Sequence, residues 1–187
     1  MAAVKRIFLG LAIWNSIFLL AVCGLGWWAS YDPASRHFWH MWPGVVVCLF
    51  TCLTQCIVII HFSGSGKGVK EAVEGNAIAD DPETGYARRV RRFRGKMSAW
   101  AYPAVLLIVT ATLLGGAYDG ARLFHDPASK QQTLHYFHLG VSLFAVAFNL
   151  YSFVAEYRLI CENTAMIAEL NRLIEQRAGS AAGSRAV

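Results

Sequence analysis

Apolar residues in this chain fall into four long blocks separated by polar stretches. No charged residue occurs in the 25 positions between Arg6 and Asp32, the 30 between Arg36 and Lys67, the 22 between Lys96 and Asp119, or the 25 between Lys130 and Glu156. A helix needs about 20 predominantly apolar residues to cross the hydrocarbon layer of a bilayer. Each block is long enough, so the pattern predicts transmembrane helices near 7–30, 39–62, 97–118 and 133–158. The links at 31–38 and 119–132 are short. The link at 63–96 is the longest and carries most of the charge.

Past the fourth block the pattern changes without a break. In EYRLICENTAMIAELNRLIEQRAG, Leu159, Met166, Leu170 and Leu173 share one helical stripe, with Ile160, Ile167 and Ile174 beside it. That spacing predicts an amphipathic extension to about 177. The stripe either packs on the protein's own cytoplasmic loop or the lipid interface, or docks a partner subunit or a second copy. The end, 179–187, reads as a disordered tail.

Composition agrees with this reading: 56% of residues are hydrophobic and only 16% charged, against about 25% charged in a soluble domain. The basic residues set the orientation. With the N-terminus inside, 14 of the 17 lysines and arginines lie on the cytoplasmic side and 3, Arg36, Arg122 and Lys130, on the other. The positive-inside bias therefore predicts N-in and C-in. The run RRVRRFRGK abuts the third helix, so Arg88, Arg89, Arg91, Arg92, Arg94 and Lys96 are expected to meet anionic lipid rather than nucleic acid. The net charge of +5 is thus a topology signal. The N-terminal block resembles a signal sequence, but its apolar run is long enough to span, and it is read as a retained first helix. The expected fold is all-α: a four-transmembrane-helix bundle of two tandem, like-oriented hairpins with an amphipathic cytoplasmic C-terminal helix. A bacterial inner (cytoplasmic) membrane is the expected location.

One chemical motif occurs twice. DPASRHFWH (32–40) and DPASKQQTLHYFH (126–138) each give Asp-Pro-Ala-Ser, a basic residue and His-x-x-His, and each opens an apolar run. Positions i and i+3 share a helix face, so His37 pairs with His40 and His135 with His138 at the outer ends of helices two and four. A parallel internal repeat would bring the four imidazoles toward a common axis. Imidazole ligates metals and the haem iron alike. Three readings stand at this point: an aromatic belt with Trp27, Trp28, Trp39 and Trp42 at the interface, a haem b clamped by one histidine from each pair, or a copper or zinc ion.

Cys48, Cys52 and Cys56 form an i, i+4, i+8 ladder on helix two, either a soft-metal path for Cu(I) or small residues that let helices approach. The five cysteines suggest no disulfide network. Asn15, Gln55 and Asn149 are expected to make interhelical hydrogen bonds, and Glu156 or Arg158 to pair with His61. The glycines of SGSGKG suit a helix end; the spacing is wrong for a phosphate loop.

Function follows as an expectation: a small integral membrane subunit of a larger complex, passing electrons through haem b or a metal at the extracytoplasmic edge. The alternatives are a cofactor-free accessory subunit packed between larger subunits, and a copper transporter. Other membrane subunits or further copies of the chain are the expected partners. No nucleophile–base arrangement supports hydrolysis.

Overall fold

The structure, a computed structural model, describes residues 2–30, 33–78 and 85–184, and the side chains of 3–29, 39–78 and 85–180. Among these, every regular element is helical: α1 (Ala2–Ser30), α2 (Pro33–Gly75), α3 (Tyr86–Leu123) and α4 (Ala128–Ser184). All four are long and apolar enough to cross a membrane. At 1.5 Å per residue, about 20 residues cover the hydrocarbon layer. The 43 residues of α2 and the 57 of α4 therefore run well beyond it.

The expected loop at 63–96 is mostly helix. Gly64, Gly66 and Gly68 lie inside α2, and no described glycine has a positive φ. Gly66 alone of the three acts by being small: a Cβ there would sit 2.9 Å from Val90 Cγ1 of α3, whereas one on Gly64 or Gly68 would meet nothing within 4 Å. The helix ends instead after Gly75, where Ala77 turns left-handed (φ 46°) and the Ile78 N–H reaches the Val73 carbonyl at 3.1 Å. The end of α3 repeats the device, with His125 at φ 56° and Asp126 N–H on the Ala121 carbonyl at 2.9 Å. Both are helix stops of the Schellman kind, built without glycine. At the other end of the chain α4 is helical to Ser184, past the start of the expected tail at 179; 185–187 lie outside the described residues.

α1 packs on α2 and α4, and α3 on the same two helices; among the described residues α1 and α3 do not meet, and α2 touches α4 only lightly. The buried positions explain this packing. On α4, Ala145, Asn149, Ser152, Glu156, Leu159, Asn163, Met166 and Leu170 are buried in an unbroken four-three alternation. On α3 the row is Phe93, Met97, Ala101, Ala104, Ile108 and Ala111. Steps of three and four residues keep one narrow seam of each helix facing its neighbours, as in packed membrane helices. Leu159, Met166 and Leu170 are thus spent inside the chain, while Leu173 is 38% exposed.

Cross-helix contacts fix register and direction. Thr51 Oγ1 donates to Asn15 Oδ1 at 2.9 Å, and Asn15 Nδ2 donates to Thr54 Oγ1 at 3.2 Å, while farther along α1 Gly26 lies against His40. α1 and α2 are therefore antiparallel. Asn149 Nδ2 donates to the Ala104 carbonyl at 3.2 Å and His138 contacts the Ala111 carbonyl, which makes α3 and α4 antiparallel too. α2 and α4 run parallel: Asn163 donates to Ser65 at 3.1 Å across an interval of 98 residues. The same interval separates His40 from His138, which face each other.

Asn15 carries two of these bonds, and each threonine hydroxyl also has a carbonyl of its own helix within donating distance, Val47 at 2.8 Å for Thr51 and Phe50 at 2.9 Å for Thr54. Asn15→Leu therefore leaves no threonine donor stranded. The expected loss is about 1 kcal/mol, within the roughly 0.6–1.7 kcal/mol seen for interhelical hydrogen bonds in membranes. Thermal unfolding of the variant in detergent, compared with wild type, measures it; a loss above about 3 kcal/mol would contradict the assignment.

Candidate functional site

The two histidines that meet sit at equivalent places in the two repeats. His40 lies two turns into α2 and His138 nearly three turns into α4. Their ring centres are 6.1 Å apart with planes at 60°. Each ring leans on a glycine of the preceding helix. A Cβ on Gly26 would lie 2.7 Å from His40 Cε1, and one on Gly115 would lie 3.0 Å from His138 Cε1. Such separations are below ordinary contact. Glycine at these two positions makes the room the imidazoles occupy.

His138 is held in a defined orientation. Its Nδ1 is 3.0 Å from the Ala111 carbonyl, with Ser142 Oγ 3.3 Å from the same nitrogen. A carbonyl only accepts, so Nδ1 carries the proton and Nε2 the lone pair. Donation of one ring N–H to a backbone carbonyl is the usual outer-shell arrangement of a metal-ligating histidine.

Both rings open onto a cavity of about 920 Å³ at the end of the bundle where α1 and α3 finish and α2 and α4 begin, within the roughly 300–1,000 Å³ of small-molecule and cofactor sites. Its inner wall is apolar, with Leu19, Val22, Ile108 and Val146. Arg122 and Gln131 stand among the lining residues nearer the outer ends of α3 and α4. The cavity lies where α1 and α3 fail to meet, so the glycines and alanines of these helices widen the interior rather than close it.

The remaining sequence-derived candidates divide. His135 also lines this cavity, but its ring packs on Tyr118 at 5.3 Å and Tyr136 at 5.7 Å, as an interfacial aromatic does. The side chain of His37 lies outside the described residues. Among the described residues no group of three or more His, Cys, Asp or Glu converges. The cysteine ladder drifts off the seam: Cys48 is buried, Cys52 half-buried and Cys56 exposed. A step of four residues overshoots the helical repeat, so each rung rotates about 40° further round the helix. Thr51, Thr54 and Gln55 occupy the seam instead.

At the opposite end of the bundle, Arg89 pairs with Glu169 at 2.9 Å, and Tyr86 donates to the same carboxylate at 3.2 Å, so α3 and α4 are tied there as well. Arg88, Arg91, Arg92, Arg94 and Lys96 are exposed. The expected pairing of His61 with Glu156 is not made: no ion pair joins them, and His61 Nε2 and both Glu156 oxygens are buried with no hydrogen-bond partner among the described residues. Arg158 is exposed at the surface.

Gly26, Gly115, Ser142 and the Ala111 carbonyl were not singled out from the sequence. A signal for the glycines was present, since both first helices carry a glycine pair followed by aromatic residues, GLGWW (24–28) and GGAY (115–118). No protein-family model, no curated protein and no solved structure matches the chain. The site's own geometry therefore carries the functional argument.

Proposed function

We propose that the chain is a small integral membrane electron-transfer subunit that holds one haem b between His40 and His138, as part of a larger membrane complex. In this reading the helices form two tandem like-oriented hairpins, with both termini cytoplasmic and the haem in the extracytoplasmic half. The antiparallel α1–α2 and α3–α4 pairs and the parallel, in-register α2 and α4 support the arrangement. The excess of basic residues on the inner links supports the orientation.

The observation that carries the reading is the facing pair of imidazoles. A metal–nitrogen bond of about 2.0–2.1 Å, plus roughly 1 Å from nitrogen to ring centre, sets two imidazoles on opposite sides of one ion about 6 Å apart. The pair is separated by 6.1 Å. Haem iron takes its four equatorial nitrogens from the porphyrin and asks the protein only for axial ligands. Two histidines suffice for that. A structural zinc site requires four protein ligands and a catalytic one three, so the two-histidine set favours haem over zinc. The apolar wall suits a porphyrin face, and Arg122 supplies a cation for its carboxylates. When bound, the haem would supply one-electron redox chemistry; the chain's residues hold it, exclude water from its faces and set the protonation of the ligand rings.

Haem titration of the purified, detergent-solubilised protein tests this. Saturation at one haem per chain with a low-spin, six-coordinate absorption spectrum is the expected result. Protein that stays colourless under excess haem overturns it, and stoichiometric copper or zinc in place of haem would replace it with a non-haem centre.

A further inference from the structure

Glu156 lies on the buried seam of α4, away from the histidine cavity and independent of the haem reading. It is fully buried, and neither carboxylate oxygen has a hydrogen-bond partner among the described residues. Gln55 of α2 lies close enough to interact with it, and no ion pair among the described residues reaches it. The Gln55 amide meets little of what an ionised carboxylate needs. Its Nε2 is directed at Ser152 Oγ, 3.5 Å away, and its Oε1 is itself buried with no partner. Ser152 in turn gives its hydroxyl proton to the Asn149 carbonyl at 3.0 Å. The cluster thus holds three orphaned acceptor oxygens against one further N–H of the Gln55 amide.

An ionised carboxylate here would be a bare charge in low-dielectric surroundings, which is strongly unfavourable without a cation. One proton removes the charge and gives Gln55 Oε1 a donor. We propose that Glu156 and Gln55 form a proton-binding site within the inner half of the membrane-embedded core, the Glu156 acid O–H being donated to Gln55 Oε1. Binding is a plain protonation: cytoplasmic water supplies the proton, one O–H bond forms on the carboxylate, and no electron moves. The hydrogen-bonded pair Ser65–Asn163 lies on the same α2–α4 seam, about 10 Å nearer the cytoplasmic end of α4, and marks the side from which the proton enters. Ionisable groups at such depth serve proton and ion pathways more often than packing.

Infrared spectroscopy of the purified wild-type protein at neutral pH tests the assignment without any mutation. Labelling glutamate with ¹³C at the side-chain carboxyl distinguishes glutamic from aspartic acid, and every other described glutamate is exposed. The expected result is a glutamic-acid C=O band that shifts on labelling, moves down in D₂O, and disappears in Glu156→Gln. Gln55→Leu removes the acceptor and should move the band to higher wavenumber with its intensity kept. The proposal is overturned if no glutamic-acid band is present, or if the band persists in Glu156→Gln. It fails equally if D₂O leaves the band unmoved, which means a sealed, non-exchanging group, if Gln55→Leu leaves it unmoved, or if sodium or potassium ions abolish it, which means a metal cation is the true ligand.

Discussion

In His138→Ala and in His40→Ala, haem affinity is expected to fall by at least about 100-fold, beyond the 10–100-fold that losing an outer-shell partner costs. The reason is the ligand count. Among the described residues these are the two imidazoles that meet each other, and no group of three or more His, Cys, Asp or Glu converges to substitute for either. His135→Ala serves as the comparison. Its ring rests on Tyr118 and Tyr136, so its removal should change the affinity by less than about threefold while exposing the cavity rim. Titration of the three variants beside wild type measures the ratio. Equal losses in all three would mean that the rings act through packing, and the bis-histidine assignment would fail. The fold itself should survive His138→Ala, because the bond lost is one to a carbonyl already inside a helix.

Gly26→Ala is expected to separate the site from the fold. An alanine Cβ there would come within 2.7 Å of His40 Cε1, against 3.0 Å for Gly115→Ala and His138 Cε1. Two opposing effects act on stability. Alanine in place of glycine favours a helix by about 1 kcal/mol, while pushing an imidazole off its rotamer costs about 0.5–1.5 kcal/mol. These nearly cancel, so the unfolding temperature should move little. Ligand geometry does not cancel. The displaced ring no longer faces its partner at the required distance, and haem affinity should drop about 10-fold or more, as for loss of an orienting group, with the smaller effect at Gly115. Gly116→Ala, where nothing lies within 4 Å of the new carbon, should leave binding unchanged. Matching loss of stability and binding in Gly26→Ala, or loss in the Gly116 variant, would contradict the cradle.

The helical core was legible because its signal is local. Runs of 22 to 30 residues without a charge admit few structures, since backbone polar groups in hydrocarbon must be satisfied within the helix. The ends were less legible. SGSGKG reads as a stop by residue type, yet it continues α2, with Gly66 pressed against Val90 of α3, and tertiary proximity overrides its propensity. The polar seam was half legible. Asn15, Gln55 and Asn149 form the expected interhelical contacts, whereas Ser152 and Asn163 look like ordinary small polar residues until the four-three alternation of α4 places them inside.

The chain's amino-acid order by itself determines four apolar spans, the segregation of basic residues to one set of links, and two His-x-x-His motifs at matching places. Only the packed helices decide which imidazoles meet. Residues i and i+3 are about 60° apart around a helix, so either member of a pair could reach across from one face. The choice is made by how each helix is rotated against its neighbours. That rotation places His40 and His138 against Gly26 and Gly115 around a cavity, and buries Glu156 on the seam of α4, because close packing of four helices is a property of all four surfaces together.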